Sequence, residues 1–192
     1  MGSEPLTLGF DTSAAHCAAA LLSGERVLAA RAEEMARGQA ERLMPLLEEV
    51  LAEGGVAWRD LDRIGVGIGP GNFTGIRIAV SAARGLTLSL DISAFGISTF
   101  DVIVARARGQ TPAVPAPRGM AHIRAPGGGY ALVAAADLTD PAWPPVPADL
   151  AQTIALLAQT APACAAPPAP LYIRPADAAP ARDAPPVILD DA

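Results

Sequence analysis

The stretch Ile64–Leu86, IGVGIGPGNFTGIRIAVSAARGL, starts as a buried strand, breaks on glycines and resumes as a helix. Glycines at a strand-to-helix turn let backbone N–H groups converge at a helix N-terminus, where the dipole favours an anion. The spacing of Gly69, Gly71 and Gly75 fits neither common phosphate loop. No Lys-Ser/Thr follows the last glycine, as a Walker A loop requires, and the third glycine arrives one residue late for G-x-G-x-x-G. By spacing, the segment reads as a tight turn whose glycines permit close backbone packing.

Outward from this turn the chain alternates strands and helices. Leu6–Ser13, LTLGFDTS, is a short apolar strand ending in an acidic, hydroxyl-rich turn, and two strands follow around Ser23-Gly24-Glu25. From Ala40 the apolar period becomes helical through Leu43, Met44, Leu47, Val50 and Leu51, ending at Gly54-Gly55. Pro45 is expected in the tolerated first turn. After the glycine turn come a helix from about Gly75 to Leu90, the strand SAFGI, and a helix opened by a capping-box signal at Ser98 and Asp101. Three strands followed by alternating helices and strands indicate an α/β lobe with a mixed sheet over residues 1–108. Beyond Gly109 the texture turns to Pro, Ala and Gly, as a smaller second lobe over 109–192. GMAHIR and YALVAA read there as strands joined across Ala125–Gly129, and Asp149 as the cap of a helix carrying Leu150, Ile154 and Leu157. The segment LYIRPAD is expected to dock on the fold, and the last ten or so residues to be loose.

Composition narrows the function. Half of the 192 residues are apolar, while aromatics are only 4%, so the core is built from Ala, Val, Leu and Ile. A formal charge of -6 argues against a protein that grips a phosphate backbone alone. Cys17 and Cys164 have neither a disulfide framework nor metal-type spacing. The start lacks a signal-peptide pattern and no apolar run reaches membrane-spanning length, so the expectation is a cytoplasmic protein with no membrane contact.

Two chemical readings stay open for the turns. Asp11, with Thr12 and Ser13 after it, could hold a hydrated Mg²⁺ beside phosphates in a small ATPase or kinase-like phosphotransferase that also uses the glycine loop. Alternatively, Asp11 closes an Asx-type turn. His16 and Cys17 are neighbours on a strand and point to opposite faces, so they cannot share a metal. His122 stands alone, and no set of metal ligands is visible for a metallopeptidase. Neither a cofactor nor a metal is expected.

Taken together, LGFDTSAAHCAAALL, ERLMPLLEEVL and IGPGNFTGIRIAVSAARGLTLSLDI resemble the bacterial TsaB (YeaZ) family of tRNA threonylcarbamoyladenosine biosynthesis proteins. The resemblance covers about the first 107 residues and returns at PLYIRPADAA. It implies a two-lobed fold of the actin and sugar-kinase type (ribonuclease H-like), here with an abbreviated second lobe. It also implies that Asp11, Thr12, Ser13, Gly69, Gly71, Thr74 and Gly75 are degenerate phosphate loops. The implied role is non-catalytic: a dimerising scaffold that pairs with the catalytic paralogue TsaD and works with the ATPase TsaE. That complex places a threonylcarbamoyl group on the adenosine beside the anticodon, so tRNA is met only through the complex. A homodimer is possible when the partner is absent. Where the family carries an Asp-Ala-Arg-x-x-Glu-Val-Tyr-like stretch, Pro115–His122 lacks the acidic residues, and Gln39 stands where relatives have His.

A partner surface is expected on the helix after the glycine loop. Ile76, Ala79, Ala83, Leu86 and Leu90 form one apolar stripe for the lobe's own sheet. A second stripe of Ile78, Ala82, Gly85 and Ser89 calls for another helix. Leu43, Leu47 and Val50 on the preceding helix are its expected neighbours, either covering the stripe within one chain or pairing with it as a two-helix unit in a partner interface, the option the family resemblance favours.

Overall fold

The computed structural model describes residues 4–125, 127–162 and 166–173. Three antiparallel strands open the chain: β1 (Leu6–Asp11), β2 (His16–Ser23) and β3 (Arg26–Glu34). Helix α1 (Gln39–Glu53) leads to β4 (Arg63–Gly67), which pairs parallel to β1; α2 (Phe73–Leu90) leads to β5 (Ser93–Ile97), parallel to β4. The sheet order is β3-β2-β1-β4-β5. Helix α3 (Thr99–Arg106) then connects to a second sheet of β6 (Thr111–Ala116), β7 (Met120–Arg124), β8 (Tyr130–Ala134) and the two-residue β9 (Pro141–Ala142), in the order β8-β7-β6-β9.

The period of two along β2 divides the first core. Cys17, Ala19 and Leu21 face α1 and α2 with Leu8, Phe10, Ile64 and Val66, while Ala18, Ala20 and Leu22 face the last helix, α4 (Pro147–Thr160). Gly9 and Gly65 sit side by side in the β1–β4 register on the α4 face. A Cβ on Gly9 would meet the Ala151 carbonyl oxygen at 2.5 Å, and one on Gly65 the Ile154 carbonyl oxygen at 2.7 Å. The two bare positions let the α4 backbone lie directly on the sheet, which glycine inside a strand commonly marks. The expected boundary at residue 108 puts α4 with the second lobe, but its packing joins it to the first sheet.

Several local expectations need correction. Pro45 lies inside α1 beyond the first turn; it is on the exposed side, where water can satisfy the carbonyl it leaves unpaired. Asp149 does not cap α4: Val146 is the N-cap residue, Pro147 opens the helix, and Asp149 accepts instead from Arg106 Nη2 at 2.7 Å. Strand β6 was hidden by Pro112 and Pro115. Pro115 is tolerated because β9 pairs only with Thr111 and Pro112, leaving the rest of that edge open. Leu171 docks through its N–H on the Ile68 carbonyl at 2.8 Å. Residues 174–177 of LYIRPAD, Cys164 and the final residues fall outside the described residues.

The Ser98–Asp101 capping box is present, with Asp101 N–H donating to Ser98 Oγ at 3.1 Å and Ser98 N–H to Asp101 Oδ2 at 3.0 Å. Arg124 of β7 donates to Asp101 Oδ1 at 2.7 Å, tying the second sheet to the start of α3. Desolvation pushes the Asp101 carboxyl upward, but the Ser98 and Arg124 hydrogen bonds outweigh it and leave its pKa lowered.

Two stability measurements follow. Gly9→Val should lose about 1–3 kcal/mol or more from overpacking against α4. Gly85→Ala, where a Cβ meets nothing, should gain roughly 0.5–1 kcal/mol as a helix-interior glycine replacement; urea melts of both check the contrast. Asp101→Asn should cost about 1 kcal/mol near neutral pH, the usual value of a cap. Because the folded carboxyl has the lowered pKa, its contribution is present above the unfolded value and is lost as pH falls through the folded one. The melting-temperature gap between wild type and variant should therefore close in acid.

Candidate functional site: a cleft above two interlocked turns

The turn after β1 and the glycine loop after β4 meet at the same end of the first sheet. Asp11 is 1% exposed, and its Oδ1 accepts from Ser13 N–H and Ser13 Oγ, both at 2.9 Å. This is the Asx-type turn. His16 Nε2 contacts the same oxygen at 2.7 Å. Asp11 Oδ2 is buried against Gly67, where a Cβ would overlap it.

The glycine loop closes onto this turn. Asn72 N–H donates to the Ser13 carbonyl at 2.6 Å, Thr12 Oγ1 donates to the Gly75 carbonyl at 2.7 Å, and Asn72 Oδ1 caps α2 by accepting from Gly75 N–H at 3.0 Å. A Cβ on Gly71 would overlap the Ser13 carbonyl oxygen, and one on Gly75 the Thr12 carbonyl oxygen. Gly69, with φ +94°, presents its carbonyl to Thr99 N–H at 2.8 Å. Two of the N–H groups that could cradle a phosphate, those of Asn72 and Gly75, are thus already bonded within the chain. Thr74 is exposed and its side chain joins none of these bonds.

Above the interlocked turns lies a cleft between the two sheets, in two adjoining chambers. The wider, about 590 Å³, is bounded by Ser13, His16, Asn72, Thr99, Trp143 and Leu150 among others. The second, about 480 Å³, includes Phe73, Arg118 and Tyr172. Tyr172 stacks on Phe73 with ring centroids 5.0 Å apart, and its hydroxyl accepts from Arg77 Nε at 2.8 Å. Asp11 does not border either chamber, since its oxygens are spent on the turn or buried against Gly67. The geometry therefore does not offer the Asp11 carboxylate to a hydrated Mg²⁺ in the cleft. The whole sequence contains no lysine, so arginine is the only side chain that could offer a phosphate a permanent positive charge. Burial pushes the Cys17 thiol up to about 11, with Glu33 adding to it, which removes it as a nucleophile.

The expected interface residues separate. Leu43, Leu47 and Val50 are almost wholly buried in the chain's own core, on the sheet, and are not available to a partner. Ile78 and Ala82 are partly buried at the edge of that core, whereas Gly85 and Ser89 are exposed. Leu88, which belongs to neither expected stripe, is 88% exposed. The sequence reading also missed the Asp11–His16 pair. Its signal is the β1–β2 register: Asp11 opposes Ala18, so His16, two residues from Ala18, shares that face.

A five-stranded β3-β2-β1-β4-β5 sheet facing a smaller second sheet across a cleft makes this a two-lobed α/β protein. A family model described as TsaD, tRNA N6-adenosine threonylcarbamoyltransferase, matches residues 29–133. The structure of YeaZ from Pseudomonas aeruginosa is similar, with a TM-score of 0.58 and 30% identity over 68% of each chain. The tRNA threonylcarbamoyladenosine biosynthesis protein TsaB of Buchnera aphidicola is 34% identical over 102 residues, covering 53% of this chain and 48% of that relative. Its Escherichia coli counterpart is 33% identical over 92 residues, covering 48% and 39%. The chain belongs to the TsaB (YeaZ) family within the group that the TsaD model describes. Its matches span less than half the length of these curated relatives. Among the described residues, no helix is long and apolar enough to cross a membrane.

If the two turns hold each other, Gly75→Ala should cost about 1–3 kcal/mol by forcing Thr12 away from α2. Gly127→Ala, in open space, should leave the chemical-denaturation midpoint nearly unchanged.

Proposed function

We propose that this chain is a non-catalytic scaffold subunit of the machinery that forms threonylcarbamoyladenosine beside the anticodon of tRNA. The observation that carries the proposal is the interlocking of the two turns: Asn72 N–H is bonded to the Ser13 carbonyl and Gly75 N–H to Asn72 Oδ1, where a kinase-like enzyme would hold phosphates. The loop's work is then to launch α2. The partners in this reading are the catalytic paralogue TsaD and the ATPase TsaE, with tRNA met through the assembled complex and a homodimer formed when the paralogue is absent. The net charge of -6 agrees with a subunit that relies on its partners for RNA contact.

The docking face in this reading is the outer side of α2, with Ile78 and Ala82 at its base and Gly85, Leu88 and Ser89 exposed. Small residues there allow a partner helix to approach closely. The second reading, a small ATPase using the Asp11 turn and the glycine loop, requires those turns to open.

Ala82→Arg tests the face. A guanidinium buried without a partner costs a few kcal/mol, on the order of a hundredfold in affinity. The variant should remain folded by circular dichroism and lose the TsaD-type paralogue on size exclusion, and a full-affinity complex would move the interface elsewhere. Titration calorimetry of the wild type with Mg-ATP should show no tight one-to-one binding. Micromolar binding would favour the ATPase.

A further inference from the structure

The Asp11–His16 pair and the wider chamber above it have no role in partner docking on α2. We propose that this chamber is a binding site for an uncharged, purine-sized heteroaromatic ligand, held against Trp143 and by a hydrogen bond donated to His16 Nδ1.

Size and charge define the class. A volume of about 590 Å³ lies inside the range of small-molecule sites, roughly 300–1,000 Å³. The walls are largely apolar, with Pro70, Val114, Pro144 and Leu150 among them; His122 borders the chamber as well as His16, and among the described residues no Asp, Glu or Arg does. Arg118 borders only the second chamber. An ionic ligand buried here would lose its hydration without meeting a carboxylate or guanidinium of the described residues, whereas a neutral one loses less. Trp143 is 41% exposed although it lines the chamber, leaving ring surface on which a planar heterocycle can stack.

The polar anchor is built from beneath. Asp11, 1% exposed, holds His16 Nε2 at 2.7 Å and is itself oriented by the N–H and hydroxyl of Ser13. A carboxylate at that distance selects the tautomer with the proton on Nε2, so the lone pair of the neutral ring is on Nδ1. Nδ1 faces away from Asp11 and makes no hydrogen bond among the described residues. The glycine at position 67 makes room for the Asp11 carboxylate in this pose. An oriented acceptor in a neutral, apolar chamber suits a ligand that offers one N–H or O–H and a flat apolar body.

Inosine is the probe, because it is uncharged, purine-sized and carries a ring N–H; inosine monophosphate has the same ring plus a charged phosphate. Calorimetry on the full chain should show inosine binding at least as tightly as its monophosphate. His16→Ala and Trp143→Ala should each weaken inosine by about tenfold or more, the equivalent of one good contact. Trp143 is at the rim, so its variant keeps the test valid if His16→Ala fails to fold. In the wild type, nitrogen NMR of the imidazoles should place the proton on Nε2 of His16 and show its Nδ1 resonance moving on titration. The proposal is overturned by no response to millimolar inosine, by a tenfold preference for the monophosphate, or by inosine binding that both variants retain. None of these results would alter paralogue binding through α2, so failure here is distinct from failure of the scaffold role.

Discussion

The absence of a side chain at Gly71 and Gly75 is the constraint on which the site depends. Only bare backbone at these two positions allows the Ser13 and Thr12 carbonyls to reach the start of α2. Once they do, the Asn72 and Gly75 N–H groups find acceptors within the chain, so two of the donors at the start of the helix are already bonded. The same contact brings the ends of β1 and β4 together and sets the floor of the cleft. The glycine loop is a structural joint, with Asn72 and Gly75 N–H bonded to protein carbonyl and amide oxygens.

A second pair of glycines does comparable work on the other side of the sheet. Gly9 and Gly65 are adjacent across parallel strands, and the α4 backbone lies where their side chains would be. This burial completes the first lobe with a helix that arrives after the second sheet in sequence. It also brings Leu150 of α4 to the cleft, so one wall of the chamber is contributed by a residue more than seventy positions from the floor. The Arg124–Asp101 pair and the Leu171–Ile68 bond fasten the remaining walls.

These joints hold the two sheets of a chain without lysine in their places. The fold is maintained by backbone contacts that require glycine, and those contacts do not need the nucleotide. Among the described residues, the exposed side of α2 carries small residues and Leu88, and the cleft is largely apolar.

The sequence by itself determined the strands and helices of the first lobe and its α/β class, but not β6 or β9 of the second sheet. Hydrophobic period, the Gly54-Gly55 stop, the Ser98–Asp101 box and the glycine turn are local signals, and local hydrogen bonding and side-chain period decide them. The relationship among the loops at Asp11–Ser13 and Gly69–Gly75 was legible as a resemblance, but their closure was not. Closure depends on carbonyls meeting glycines more than fifty residues away. Tertiary structure alone decided that Leu43, Leu47 and Val50 belong to the core, since an amphipathic helix shows which face is apolar and not what covers it. It also decided that α4 returns to the first sheet, because the two glycines that seat it are indistinguishable in sequence from those of a turn. His16 gained its partner for the same reason: only the β1–β2 register sets it beside Asp11, and pairing across strands is a nonlocal fact.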